Sequence, residues 1–168
     1  MEEDLNKDFE ISEINDNRQL EEETVQHLNN PVTDLKAIVK QYLTSVKSVK
    51  KEGNRFYFSD GEAVVEVRVV SDETIRVRLA PHGVFLADFS YAVEQVDQKV
   101  TTFRLQDTPD AYLIETNTIT CRVSKADFLI SFIDNITGIV TSSDASPMHW
   151  EENVEFGGYY VFATKQCH

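Results

Sequence analysis

The sequence predicts an all-β fold, an antiparallel β-sandwich. Three observations carry that prediction. From Thr44 onward, polar and apolar residues alternate with a period of two over most of the chain, the pattern of strands with one wet and one buried face. Turn signals recur between these runs, at Asp60-Gly61, Ser71-Asp72, Asn117 and 134–138. No helical period of comparable strength interrupts them, and short strands at this spacing pack as two facing sheets.

The elements follow in order. "RFYF" and "EAVVEVRVV" flank Asp60-Gly61, whose glycine supplies a positive-φ turn position. Val65, Val67 and Val69 point to one face, and Glu66 and Arg68 to the other, wet face. Ile75, Val77 and Leu79 repeat the pattern against Arg76 and Arg78. An aromatic-rich loop, "HGVFLADFSYAVEQ", follows Pro81. Strands resume at "VTTFRLQD", "AYLIETNTITCRVSK", "DFLISFIDN" and "TGIVTSSD". "VEFGGYYVFATK" reads as a last strand that bends at Gly157-Gly158.

The N-terminal part differs. Of a net charge of −13, residues 1–31 carry −8, from ten acids against Lys7 and Arg18. We read 1–31 as an acidic, flexible extension and 32–168 as the sandwich. Within the extension, Asp16 with Gln19 three residues on can cap a short N-terminal helix. Leu20, Val25 and Leu28 would form its thin apolar stripe, and "NNP" at 29–31 ends it. "TDLKAIVKQYL" (33–43) fits helix or strand equally.

Charge and composition narrow the function. A chain this acidic repels phosphate backbones, so neither nucleic acid nor anionic membrane is an expected partner. No apolar run approaches the ~20 residues needed to cross a bilayer. The N-terminus lacks the basic and apolar regions of a signal peptide, which favours the cytoplasm. Cys121 and Cys167 make no disulfide framework, and His27, His82, His149 and His168 lack ligand spacing. No metal or cofactor is expected, and no G-x-S-x-G elbow or phosphate loop is present.

Glycosidases hold two carboxylates ~5–9.5 Å apart across the scissile bond. Among 29 Asp and Glu such pairs arise by chance, and Asp60, Asp72 and Asp134 occupy turns. No catalytic residue is therefore assigned. An epimerase using His82 or His149 as its acid has no supporting motif. Asn135-Ile136-Thr137 fits a glycosylation sequon but reads more simply as a turn. The residues with contact chemistry are aromatic: Phe89 and Tyr91 in the loop, and Trp150, Tyr159 and Tyr160 near the end. His149 and Trp150, adjacent in an extended "MHW", would face opposite ways.

Several segments together carry a family resemblance. "NRFYFSDGEAVVEVRVVSDETIRVRLAP", "FLADFSYAV", "FLISFIDNITGIVTSSDASPMHW" and "GGYYVFATKQCH" occur in the order of strands and loops that opens glycoside hydrolase family 31 enzymes. Residues 44–168 resemble the N-terminal, galactose-mutarotase-like supersandwich of that α-glucosidase and α-xylosidase family. The resemblance implies a (β/α)8 barrel, bearing both catalytic aspartates of a retaining mechanism, as partner in the same parent chain. It implies a chain cut before that barrel, no activity of its own, and an α-glucoside substrate for the parent. The domain would brace the barrel and shape one side of the active-site entrance, with Phe89, Tyr91, Trp150, Tyr159 and Tyr160 for interdomain or sugar contact. Alone, it would self-associate through surface meant for the barrel. Two rivals remain: a stand-alone carbohydrate-binding sandwich stacking sugars on Trp150, Tyr159 or Tyr160, and an interaction domain whose acidic segment docks a basic partner.

Overall fold

The computed structural model describes residues 39–86, 102–153 and 155–168. The proposed N-terminal helix, Phe89 and Tyr91 lie outside them. Three antiparallel sheets make up the described fold. Strands β2 (Ser48–Glu52), β3 (Arg55–Ser59), β4 (Val64–Val69) and β5 (Ile75–Ala80) form a four-stranded meander. Strands β6 (Arg104–Asp107), β7 (Ala111–Glu115), β8 (Ile119–Ser124), β9 (Ile130–Asp134) and β10 (Val140–Asp144) form a second meander, extended by β13 (Lys165–Cys167) beside β10. The small third sheet runs β1-β11-β12, from Gln41–Tyr42, His149–Glu152 and Tyr159–Phe162. The ambiguous segment 33–43 thus ends in a strand.

The period-two pattern decides what each sheet buries. Register places Phe56 beside Val67 and Phe58 beside Val65, and Val67 and Val65 beside Val77 and Leu79. In the other meander Ile114 pairs with Cys121, Cys121 with Phe132, and Val123 with Ile130. These two rows belong to one hydrophobic core. Phe58 meets Tyr112 across it at 5.3 Å between ring centroids. Each fully buried side chain of this size contributes about 1.5–3 kcal/mol. The sheets are also tied at one end, where Thr116 Oγ1 donates to Asp72 O at 2.6 Å and Asn117 Nδ2 to Asp72 Oδ2 at 3.1 Å.

Turn chemistry follows the sequence closely at Asp60. Its Oδ1 accepts from the backbone N–H groups of Glu62 (3.1 Å) and Ala63 (2.9 Å), with Gly61 at φ 107°. Two later hairpins share one loop geometry. In β9–β10, Asp134 N donates to Ile139 O, and Gly138 takes φ 72°. In β8–β9, Ser124 N donates to Leu129 O, and the equivalent position is Phe128, at φ 56°. A non-glycine residue there is strained by roughly 1–2 kcal/mol. Phe128 is held in place because its ring is fully buried in the core.

Two expectations need correction. Glu66 does not point to water: it is only 1% exposed. Its Oε2 accepts from Arg55 Nη1 at 3.1 Å, and its cross-strand neighbours are Tyr57 and Arg78. The segment after β5 turns back over this row, placing the Phe85 ring 6.1 Å from that of Tyr57 and 5.1 Å from the Arg78 guanidinium. The outer face is therefore covered and its carboxylate paired. Likewise "VEFGGYYVFATK" is not one bent strand. Gly157 and Gly158, at φ 72° and 84°, form the β11–β12 hairpin, closed by Asn153 N donating to Gly158 O. The chain then leaves for a different sheet as β13, where Lys165 Nζ lies 2.5 Å from the buried Asp144 carboxylate. Asp144 Oδ2 in turn accepts from Ile130 N at 2.8 Å, so one carboxylate joins three strands.

Burial pushes the Cys121 thiol up to about 12, whereas Cys167 is exposed. Thiolate, not thiol, is the reactive form. A disulfide reagent should label one thiol rapidly in the native chain and the second only with denaturant, and rapid labelling of both would contradict the buried placement. At position 128, glycine should be better tolerated than alanine, the reverse of the usual order. Denaturant midpoints should place F128A lowest, about 3–5 kcal/mol below the parent, with F128G above it.

Candidate functional site

The small sheet gathers the aromatic residues near the end of the sequence, and strand alternation sorts them onto two faces. Tyr42, His149 and Phe162 are register partners across its three strands, with Glu151 opposite Tyr160 on the same face. The imidazole of His149 is stacked between Tyr42 (centroids 4.9 Å, planes 29° apart) and Phe162 (4.8 Å, 10°). Gln41, Trp150 and Val161 form the corresponding row on the opposite face, with Glu152 opposite Tyr159.

Those faces have different environments. Trp150 is 2% exposed and its indole Nε1 donates to Gln41 Oε1 at 2.5 Å. With Leu43 and Met148 it joins the small sheet to the main core. Tyr160 (54%), Tyr42 (47%) and Phe162 (40%) leave much of their apolar surface open. Tyr159 is also exposed, and its hydroxyl lies 2.7 Å from His82 Nε2. His82 Nδ1 is 3.4 Å from Glu62 Oε1. This carboxylate–imidazole–phenol chain joins the small sheet to the loops flanking the four-stranded one.

The sheet thus brings Trp150, Tyr159 and Tyr160 together but separates Trp150 from Tyr160 by face. Sequence reasoning did not find Tyr42 or Phe162, nor the link from His82 to Tyr159. Residues 42 and 149 are over 100 positions apart, and strand pairing leaves no periodic signal across such a gap. The arrangement provides stacked apolar edges and one polar relay, suited to contact with another surface. Among the described residues, no group of three or more His, Cys, Asp or Glu is placed to hold a metal ion.

Because the indole is enclosed, Trp150 emission should be blue-shifted, poorly quenched by iodide, and unchanged by maltotriose. Strong iodide quenching, or saturable quenching by the sugar, would put Trp150 at the surface instead.

The described fold is similar to parts of much longer solved structures. A glycoside hydrolase family 31 dextranase from Flavobacterium johnsoniae, complexed with isomaltotriose, aligns with a TM-score of 0.58 and 21% identity over 68% of this chain and 16% of its own. A cycloalternan-forming enzyme from Listeria monocytogenes, in complex with a pentasaccharide substrate, aligns with a TM-score of 0.53 and 15% identity over 68% and 11%. The chain therefore spans a small part of either enzyme. Comparison with curated proteins gives no significant match. Residues 64–168 match the glycosyl hydrolase 31 N-terminal galactose mutarotase-like domain, and on that match the chain belongs to this family.

Proposed function

We propose that this chain acts as the non-catalytic N-terminal sandwich of a family 31 hydrolase whose parent cleaves terminal α-linked glucosides as an α-glucosidase. Its partner is the (β/α)8 barrel of the same parent chain, and the small sheet bears against that partner. The observation that carries this reading is the distribution of exposed apolar surface. In the two large sheets Phe56, Phe58, Val65, Val67 and Val123 have no exposed surface, whereas Tyr42, Tyr159, Tyr160, Val161 and Phe162 are all at least 40% exposed on the three-stranded sheet. Tyr42, Tyr160 and Phe162 share one face of that sheet and Tyr159 and Val161 the other, and exposed apolar clusters of this kind mark contact sites. Tyr159 and Tyr160 are the interdomain or sugar contacts in this reading, together with Phe89 and Tyr91 of the loop, which would line the active-site entrance. Trp150 supports them from the core. In this reading residues 1–31 are an acidic extension and 32–168 the sandwich domain. The enclosure of Trp150 leaves Tyr159 and Tyr160 as the exposed aromatic residues of the three that a free-standing sugar-stacking module would use.

Two measurements test this. The purified 168-residue chain should release no nitrophenol from an aryl α-glucoside above a heat-killed control; release would sink the non-catalytic assignment. The chain should also self-associate with rising concentration in sedimentation velocity, and Y160D/F162D should shift it to monomer. An unsubstituted 168-residue chain that stays monomeric at every concentration would show that this surface does not seek a partner.

A further inference from the structure

An open cleft of about 460 Å³ lies between Thr102, Phe103, Arg104, Glu115, Asn117 and Asn135, in the ~300–1,000 Å³ range of small-molecule sites. It sits on the second meander. Arg104, Glu115 and Thr120 are consecutive register partners across β6, β7 and β8, on the face opposite the core row of Leu105, Ile114 and Cys121. The β7–β8 hairpin closes one end.

The polar groups of the cleft are ordered and partly uncommitted. Arg104 Nε and Gln106 Nε2 both donate to Glu115 Oε2, the second at 3.1 Å. Glu115 Oε1 accepts no hydrogen bond among the described residues, and neither does the side-chain oxygen of Asn117, whose Nδ2 is held by Asp72. Arg104 Nε is committed, which leaves its terminal nitrogens facing out on a side chain that is 70% exposed. Thr120 Oγ1 donates to Asn135 Oδ1 at 2.6 Å, and Asn135 Nδ2 to Thr116 O at 2.9 Å, so the wall behind is fixed. Phe103 turns its ring inward, edge-on to Phe56 at 5.8 Å, and gives the cleft an apolar margin.

This donor and acceptor set selects the ligand class. Arg104 and Glu115 cancel, so the cleft has no net charge. Residues 32–168 carry −5, the −13 of the chain less the −8 of residues 1–31, which opposes an anion, and a cation would find only a carboxylate already held by two donors. An open donor on β6 beside open acceptors on β7 and its hairpin suits a ligand bearing several hydroxyls, each both donor and acceptor. We propose that this cleft binds a neutral oligosaccharide, an α-linked glucose oligomer, at a site separate from the aromatic sheet. The polyol class rests on the cleft itself; the α-glucose identity rests on the proposed function.

The test is a titration of the 15N-labelled 168-residue chain with maltotriose and isomaltotriose, with cellotriose as the β-linked comparator. One α-linked sugar should shift amides of 102–106, 115–120 and 135, with an affinity on the order of millimolar. Arg104→Ala, at an exposed position, and Glu115→Gln, which keeps the shape, should each weaken it at least about tenfold while leaving the other amides in place. No shifts with either α-linked sugar, shifts confined to β11 and β12, or an Arg104→Ala titration equal to the parent's would overturn the proposal. Cellotriose binding as tightly would overturn the α-glucan identity. Nitrophenol release by the chain would instead overturn the proposed function without altering the titration.

Discussion

The rest of the structure depends on the contact between the inner faces of the two meanders. Phe56, Phe58, Val65 and Val67 from one face Ile114, Cys121, Val123, Phe128 and Ile130 from the other, all with no measurable exposure. The sheets come together because neither can bury its apolar row alone. That contact fixes which side of every strand is outside. It also retains Phe128 in a backbone conformation that a phenylalanine would otherwise avoid, since burying its ring outweighs the local strain.

Buried carboxylates complete what the apolar core begins. Asp144 links β10 to β9 through a backbone N–H and to β13 through Lys165. Glu66 plays a comparable part on the far face of the four-stranded sheet through Arg55. Removing one member of such a pair leaves a desolvated charge, which costs more than the pair itself gains. These groups act mainly to specify strand order and position, most clearly at β13, a three-residue strand with little apolar surface of its own.

The small sheet has a different character. Trp150 anchors it to the core, while Tyr42, Tyr160 and Phe162 remain open and His149 is clasped between two rings. Its Tyr42–Phe162–Tyr160 face is mainly aromatic, with the Lys40–Glu151 ion pair at its edge. The cleft on the second meander is polar, concave and charge-balanced. The contact proposed for one and the ligand recognition proposed for the other demand different chemistry, and the two surfaces lie on different sheets.

The all-β class, the hairpins at Asp60-Gly61 and 134–138, and the inward rows of valine and isoleucine were legible because they depend on local turn chemistry and a period of two. The family was legible through the order of several such segments. The burial of Glu66 was not, since alternation gives the face but not what later covers it. Nor could Phe128 be read as a left-handed residue, because nothing in its type favours that conformation. By itself the sequence determined the strands, most of their turns and their inward faces, all local properties. Only the tertiary structure decided that Gln41 and Tyr42 pair with β11, that the Gly157-Gly158 segment folds into the β11–β12 hairpin of the small sheet, and that Arg104, Glu115 and Asn117 share a cleft. These are pairings between distant residues, and the side-chain period that defines a strand is the same whichever neighbour it joins.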